Sequence, residues 1–209
     1  PARRKDQIGA VLWPDLPPSR LRSAFHVTLY RLRRALGVND CVRYENEQYL
    51  FNRRLDCWYD VDEFEGLVGQ AEQALADRPQ QAEECLQEAV ALYQGEFLED
   101  LSFSNDEWCS WRREELERRY LGALQTLGDL RLARGRHAGA LDAYRKLLAR
   151  DPLREQAHRA VMRCLALMGD RNAALRHYQT VVTLLQDELG VEPVAETVEL
   201  HQLLAAGDL

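Results

Sequence analysis

Residues 135–144 read GRHAGALDAY, and residues 169–178 read GDRNAALRHY. The second stretch follows the first at a spacing of 34 residues (135 to 169), so Gly135, Ala140, Leu141 and Tyr144 recur as Gly169, Ala174, Leu175 and Tyr178. Upstream, Ala123 answers to Ala157 and Leu127 to Val161. Small residues at fixed positions let two helices approach closely, and the glycine makes the tight turn between them.

A period of 34 residues with helix–turn–helix content is the tetratricopeptide pattern. The expected fold class is therefore all-α, with Asp151-Pro152 at the turn into the next helix. Downstream, Gly190 ends the last repeat, Pro193 redirects the chain, and 197–204 forms a terminal capping helix. Upstream, the helical pattern begins at Asp60. Asp60 with Glu63 spells a capping-box variant, ahead of an apolar face of Phe64, Leu67, Val68, Ala71 and Leu75. Pro79 opens another helix, with Leu86, Ala89, Val90 and Tyr93 inward and Gly95 at its end. Ser104 with Glu107 spells a second capping box. It opens a long helix to about residue 134 whose inward residues include Trp108, Leu116, Tyr120, Leu127 and Leu130. Trp108 and Trp111 are read as core aromatics rather than partner contacts.

The first quarter of the chain has a different character. Residues 21–37, LRSAFHVTLYRLRRALG, carry Leu21, Phe25, Leu29, Leu32 and Leu36 on one helical stripe. Arg22, Arg31, Arg33 and Arg34 lie off that stripe, beside Ser23, Val27 and Tyr30. A short helix over 3–13, with Ile8, Val11 and Leu12 on one face, precedes it. Prolines at 14, 17 and 18 separate the two, and Ser19 is the expected N-cap. Residues 41–52, CVRYENEQYLFN, read as two short strands around Glu45-Asn46-Glu47-Gln48. The expected domains are 1–55 and 56–209, joined through 52–59. Net charge divides along the same line: 11 Lys/Arg against 5 Asp/Glu in the first part, 16 against 29 in the second. A basic head on an acidic body suits a head that meets phosphates.

No apolar run reaches the roughly 18 residues of a membrane span, and no secretory leader is visible. The five cysteines are odd in number and widely spaced, which fits reduced thiols and a cytoplasmic location. The histidines at 26, 137, 158, 177 and 201 show no metal-ligand spacing. No phosphate-binding glycine loop or nucleophile elbow occurs. The chain is not expected to be an enzyme or to hold a cofactor or metal.

The motif RLRRALG, the hairpin after it, DVDEF at 60–64, and above all DPLREQAHRAVMRCLALMGDRNAALRHYQTVVTLLQDELGVEP at 151–193 resemble the bacterial transcriptional activator domain. That domain occurs in the antibiotic regulatory proteins, the SARP family. The resemblance covers nearly the whole chain and implies an OmpR-type winged helix followed by a tetratricopeptide-like activator domain. LWPD at 12–15 matches the winged helix from its second helix onward, so a partial winged helix of two helices and a hairpin is expected, without the N-terminal sheet and first helix. By position, the family's DNA contacts fall on Ser23, Val27, Tyr30, Arg31 and Arg33, with Arg43 and Tyr49 on the wing. Arg34 is a phosphate contact on helical grounds. Against these stand plainer readings: a solvated face for Arg31, Arg33 and Arg34, hairpin packing for Tyr49, and a surface position for His26. The wing turn departs from the family, because two carboxylates stand where a glycine-containing turn is usual. The implied partners are promoter DNA, RNA polymerase with its sigma subunit, and neighbouring domains of the parent regulator; a homodimer is also compatible. The competing reading is a protein-interaction module whose winged helix no longer binds DNA.

Overall fold

In the computed structural model the described residues are 2–99 and 107–208, with the side chains of 107 and 108 left aside. Contacts divide them into two units, one of 2–59 with 107–111 and one of 60–99 with 112–208. The division falls after Tyr59, a few residues beyond the expected boundary, and 107–111 groups with the first unit although the sequence reading gave it to the second.

The first unit holds helices α1 (Lys5–Leu12) and α2 (Pro18–Leu36) and strands β1 (Val42–Glu45) and β2 (Gln48–Phe51). Gly9 lets the helices close: a β-carbon there would collide with Leu21 Cδ1. Helix α2 begins with Pro18 in its first turn rather than with a Ser19 cap. Proline's fixed φ and missing N–H suit that place. It ends at Gly37, where φ is 67°. The expected stripe is buried only in its first half. Phe25 is covered and Leu21 and Leu29 are half-buried, but Leu32 and Leu36 are 41% and 51% exposed. Leu12, expected inward on α1, is also exposed.

The physical reason is where the hairpin attaches. Tyr49 packs on Phe25 at 4.5 Å, and its backbone pairs with Arg3. The strands run antiparallel from Val42↔Phe51 to Glu45↔Gln48. Asn46 and Glu47 both have positive φ, 49° and 61°, as a type I′ turn demands. At the open end, buried Asn52 donates to Asp40 at 2.8 Å and its amide donates to the Cys41 carbonyl.

The second unit stacks α3 (Asp60–Ala74), α4 (Pro79–Leu92), α5 (Glu107–Ala133) from residue 112 on, α6 (His137–Arg150), α7 (Glu155–Leu167), α8 (Arg171–Leu189) and α9 (Ala195–Ala206). The repeat is physically real. Gly135 and Gly169 have φ of 71° and 86° at the α5–α6 and α7–α8 turns. Ala140 and Ala174 are fully buried, as are Ala123 with Ala157 and Leu127 with Val161. The tyrosines part company. Tyr144 is fully buried because Gly128 makes room, a β-carbon there lying 2.6 Å from its ring, and its hydroxyl donates to Asp129 at 2.7 Å. The position 34 residues after Gly128 holds buried Met162, and Tyr178 is half-buried, stacked on His201 of α9 at 3.9 Å.

Several local expectations change. Asp60 is itself the first helical residue, and its carboxylate accepts from the Val61 amide, so the box with Glu63 does not form. Helix α4 stops at Leu92 before Gly95, and Tyr93 turns to stack on Tyr120 at 4.1 Å. The Ser104–Glu107 box and the side chain of Trp108 lie outside what is described. Trp111 is 63% exposed, against its expected place in the core.

Buried Glu83 on α4 is the main polar tie. Arg131 reaches it at 3.0 Å, Arg136 at 2.9 Å and Arg134 at 3.3 Å. Burial opposes its ionisation, but the hydrogen bonds and charges of Arg131 and Arg136 outweigh that and hold its carboxyl below the usual range. No described helix is long and apolar enough to cross a membrane.

Candidate nucleic-acid interface

A helix that reads DNA must present side chains free of intramolecular partners, because a hydrogen bond already made must be broken first. Helix α2 offers such a face. Ser23, Val27, Tyr30, Arg31 and Arg34 are exposed, Val27 at 46% and Tyr30 at 63%. Ser23, Val27, Tyr30 and Arg34 recur at helical spacing and share one side. Arg22 and His26 lie among them. Together with Ser19 they line a shallow depression over Ser23, Val27 and Tyr30. A second depression runs from His26 past Tyr30 to Arg34 and Asn39. Neither Arg31 nor Arg34 has a carboxylate partner among the described residues.

The other three expected site residues are placed differently. Arg33 is half-buried and donates from Nη2 to the Val42 carbonyl at 3.0 Å, tying α2 to β1; its Nε is buried without a partner. Arg43 forms an ion pair with Glu45 two residues along the same strand. Tyr49 sits between Phe25, at 4.5 Å, and Tyr44, at 4.7 Å. Arg43 is the hairpin's one cation, and Glu45 and Glu47 leave the tip acidic. The free cations of the first unit's middle thus gather on α2, not on the hairpin.

Arg22 and His26, absent from the expected contacts, belong to the same exposed face: 22, 26 and 30 step along the helix at four-residue intervals beside Ser23 and Val27.

In the second unit two histidines and a buried cysteine stand out among the described residues. His158 and His177 face each other at 2.9 Å, and His158 Nε2 lies 2.7 Å from the Pro152 carbonyl. A carbonyl only accepts, so His158 carries its proton on Nε2 and its Nδ1 accepts from His177. Burial pushes the Cys164 thiol up to about 11, away from thiolate chemistry. Among the described residues no three His, Cys, Asp or Glu side chains come together as a metal site.

The profile of the bacterial transcriptional activator domain matches residues 59–204. Regulatory protein AfsR of Streptomyces griseus is 31% identical over 198 residues, which is 94% of this chain and 20% of AfsR. Transcriptional regulator RedD of Streptomyces coelicolor is 30% identical over 204 residues, 94% of this chain and 57% of RedD. The chain thus spans a fifth of AfsR and little more than half of RedD. Among solved structures, Mycobacterium tuberculosis EmbR in complex with a low-affinity phosphopeptide superposes with a TM-score of 0.79. It shares 22% identity over 99% of this chain and 55% of EmbR, a likeness of fold.

Proposed function

Because the chain belongs to the bacterial transcriptional activator domain family, we propose that it supplies the promoter-reading and protein-contacting parts of a cytoplasmic transcriptional activator. The supporting observation is the exposed, unpaired face of α2. A major groove admits one helix. On that face Arg31 and Arg34 meet phosphates or guanine edges, Val27 and Tyr30 offer apolar surface to thymine methyls, and Ser23 adds a hydrogen bond. Arg33 and Tyr49 act indirectly by fixing the hairpin on α2. Arg43 is neutralised by Glu45, and the acidic tip keeps the hairpin off the phosphate backbone. The helical unit, acidic overall, contacts RNA polymerase with its sigma subunit and the regulator's neighbouring domains.

Mobility shifts of the full-length protein on promoter fragments, across a salt series, test this reading. Binding at low salt that weakens steeply with added salt is expected. Absence of binding at low salt to every promoter fragment favours instead a pure protein-interaction module, a reading to which the acidic hairpin tip also lends support.

A further inference from the structure

Of the five histidines, all of them described, His26 is the exposed one; His158 is buried, and His137, His177 and His201 are half-buried. Its ring is nevertheless steadied. It stands edge-to-face on Phe25, with centroids 5.8 Å apart and planes at 83°. Phe25 is itself only 6% exposed and packs on Tyr49 at 4.5 Å. Among the described residues neither ring nitrogen of His26 has a hydrogen-bond or ion-pair partner. An imidazole in either charge state carries at least one N–H. The fold thus orients a donor and leaves it unused.

The position of that donor is central. The two depressions on α2 share His26 and Tyr30 as walls. Arg22 lines the first, Arg33 and Arg34 line the second, and neither lining contains an aspartate or a glutamate. At a rise of about 1.5 Å per residue, Arg22 and Arg34 stand about 18 Å apart along the helix, more than the roughly 12 Å width of a major groove.

We propose that His26 is a base-reading residue of α2, its ring N–H donating to the major-groove edge of a guanine and setting the sequence preference at one base pair. The proposal rests on the reading of α2 as a DNA-reading helix, and it names the side chain that discriminates. Laid across the groove, the helix takes Arg22 and Arg34 to the phosphate walls and His26 to the floor between them. Guanine offers two neighbouring acceptors there, N7 and O6, whereas adenine sets the N6 donor beside its N7. A ring N–H among arginines, with no carboxylate in either lining, is drawn to the paired acceptors and opposed by an edge that carries a donor. Ser23 and Tyr30 share the floor, but their hydroxyls rotate to donate or accept and so tolerate either edge.

The test takes the full-length protein and a promoter fragment that it binds, with each base pair of the bound site exchanged in turn. Affinity, salt slope and melting are measured for the unaltered protein and for His26→Ala. The unaltered protein should lose about tenfold in affinity when one particular G·C pair becomes A·T. His26→Ala should bind those two fragments alike, keep the other preferences, and leave the melting temperature and the salt slope unchanged. If His26→Ala keeps every preference of the unaltered protein, His26 reads no base and the inference falls alone. If it weakens on all fragments equally and its salt slope falls by about 1, His26 touches a phosphate instead, and the inference again falls alone. If the unaltered protein binds no promoter fragment at low salt, the reading beneath it falls as well.

Discussion

Arginine is used in opposite ways in the two units. In the helical unit Arg131, Arg134 and Arg136 converge on one buried carboxylate, Glu83, and Arg112 grips Glu65 through both terminal nitrogens at 2.7 and 3.0 Å. On α2, Arg31 and Arg34 stand in solvent with no carboxylate partner among the described residues. Arg33, their neighbour in sequence, is already committed to the Val42 carbonyl. A run of arginines in a sequence therefore says little until each has its partner; those without one remain available to an anion from outside.

The sharpest way to break this contrast is at Glu83. Glu83→Ala leaves three arginines around an emptied site and should cost about 3 kcal/mol, the low end for breaking a buried pair because Arg136 is half-exposed and can rehydrate. Denaturant unfolding reads this directly, and a loss within 0.5 kcal/mol would mean the cluster is ornamental. The pH dependence has a definite sign. The folded carboxyl lies below its unfolded value, so its contribution is present above about pH 4.3 and is lost as pH falls through the folded value.

The pair of buried His158 and half-buried His177 gives a second, smaller acid effect of a different kind. His177 is lowered to about 4 by burial, then by His158 and by Arg145 on α6. His158 is lowered by burial, against the opposing pull of the Pro152 carbonyl, Glu155 and Asp151. Both rings bind protons more tightly when unfolded. Their contribution is therefore complete above about pH 6.5 and is lost as pH falls toward 4. Melting of His177→Gln should show a shallower slope through that window than the unaltered protein, and an unchanged slope would remove the pair from the account.

These outcomes bear on what the sequence could reveal. The repeat was legible because turn glycines and buried alanines are dictated by backbone geometry, which leaves few alternatives. Tyr178 was not, because Met162 stands where the first repeat has Gly128, and that exchange matters only once the helices are packed. Periodicity marked the α2 stripe, but it reports a capacity to be buried; Leu32 and Leu36 are only partly covered among the described residues. Ser23, Val27, Tyr30, Arg31 and Arg34 were legible as an exposed part of one helix, and hairpin packing of Tyr49 was legible as the alternative to a wing contact. The bond of Arg33 to Val42 and the pairing of Arg43 with Glu45 were not, because they depend on where the hairpin lands.

A smaller stability effect belongs to the hairpin tip. Glu47 holds a positive φ in a turn that favours glycine at that place. Glu47→Gly should stabilise the protein by about 0.5–1 kcal/mol, the relieved strain being partly offset by a freer unfolded chain. It also removes a carboxylate from the tip. A lower melting temperature would show that the glutamate makes a contact of its own.

Helix α2 carries two exposed arginines, Arg31 and Arg34, which we propose meet DNA, beside Arg33, which is bonded to Val42. The direct measurement is the salt dependence of promoter affinity for the full-length protein, with melting, for Arg31→Ala/Arg34→Ala and for Arg33→Ala. The double variant should melt within about 0.5 kcal/mol of the unaltered protein. It should lose about 2 from the slope of log affinity against log salt if each arginine neutralises a phosphate. Arg33→Ala should instead lower the melting temperature. A double variant that melts early while its salt slope is unchanged would make Arg31 and Arg34 structural residues.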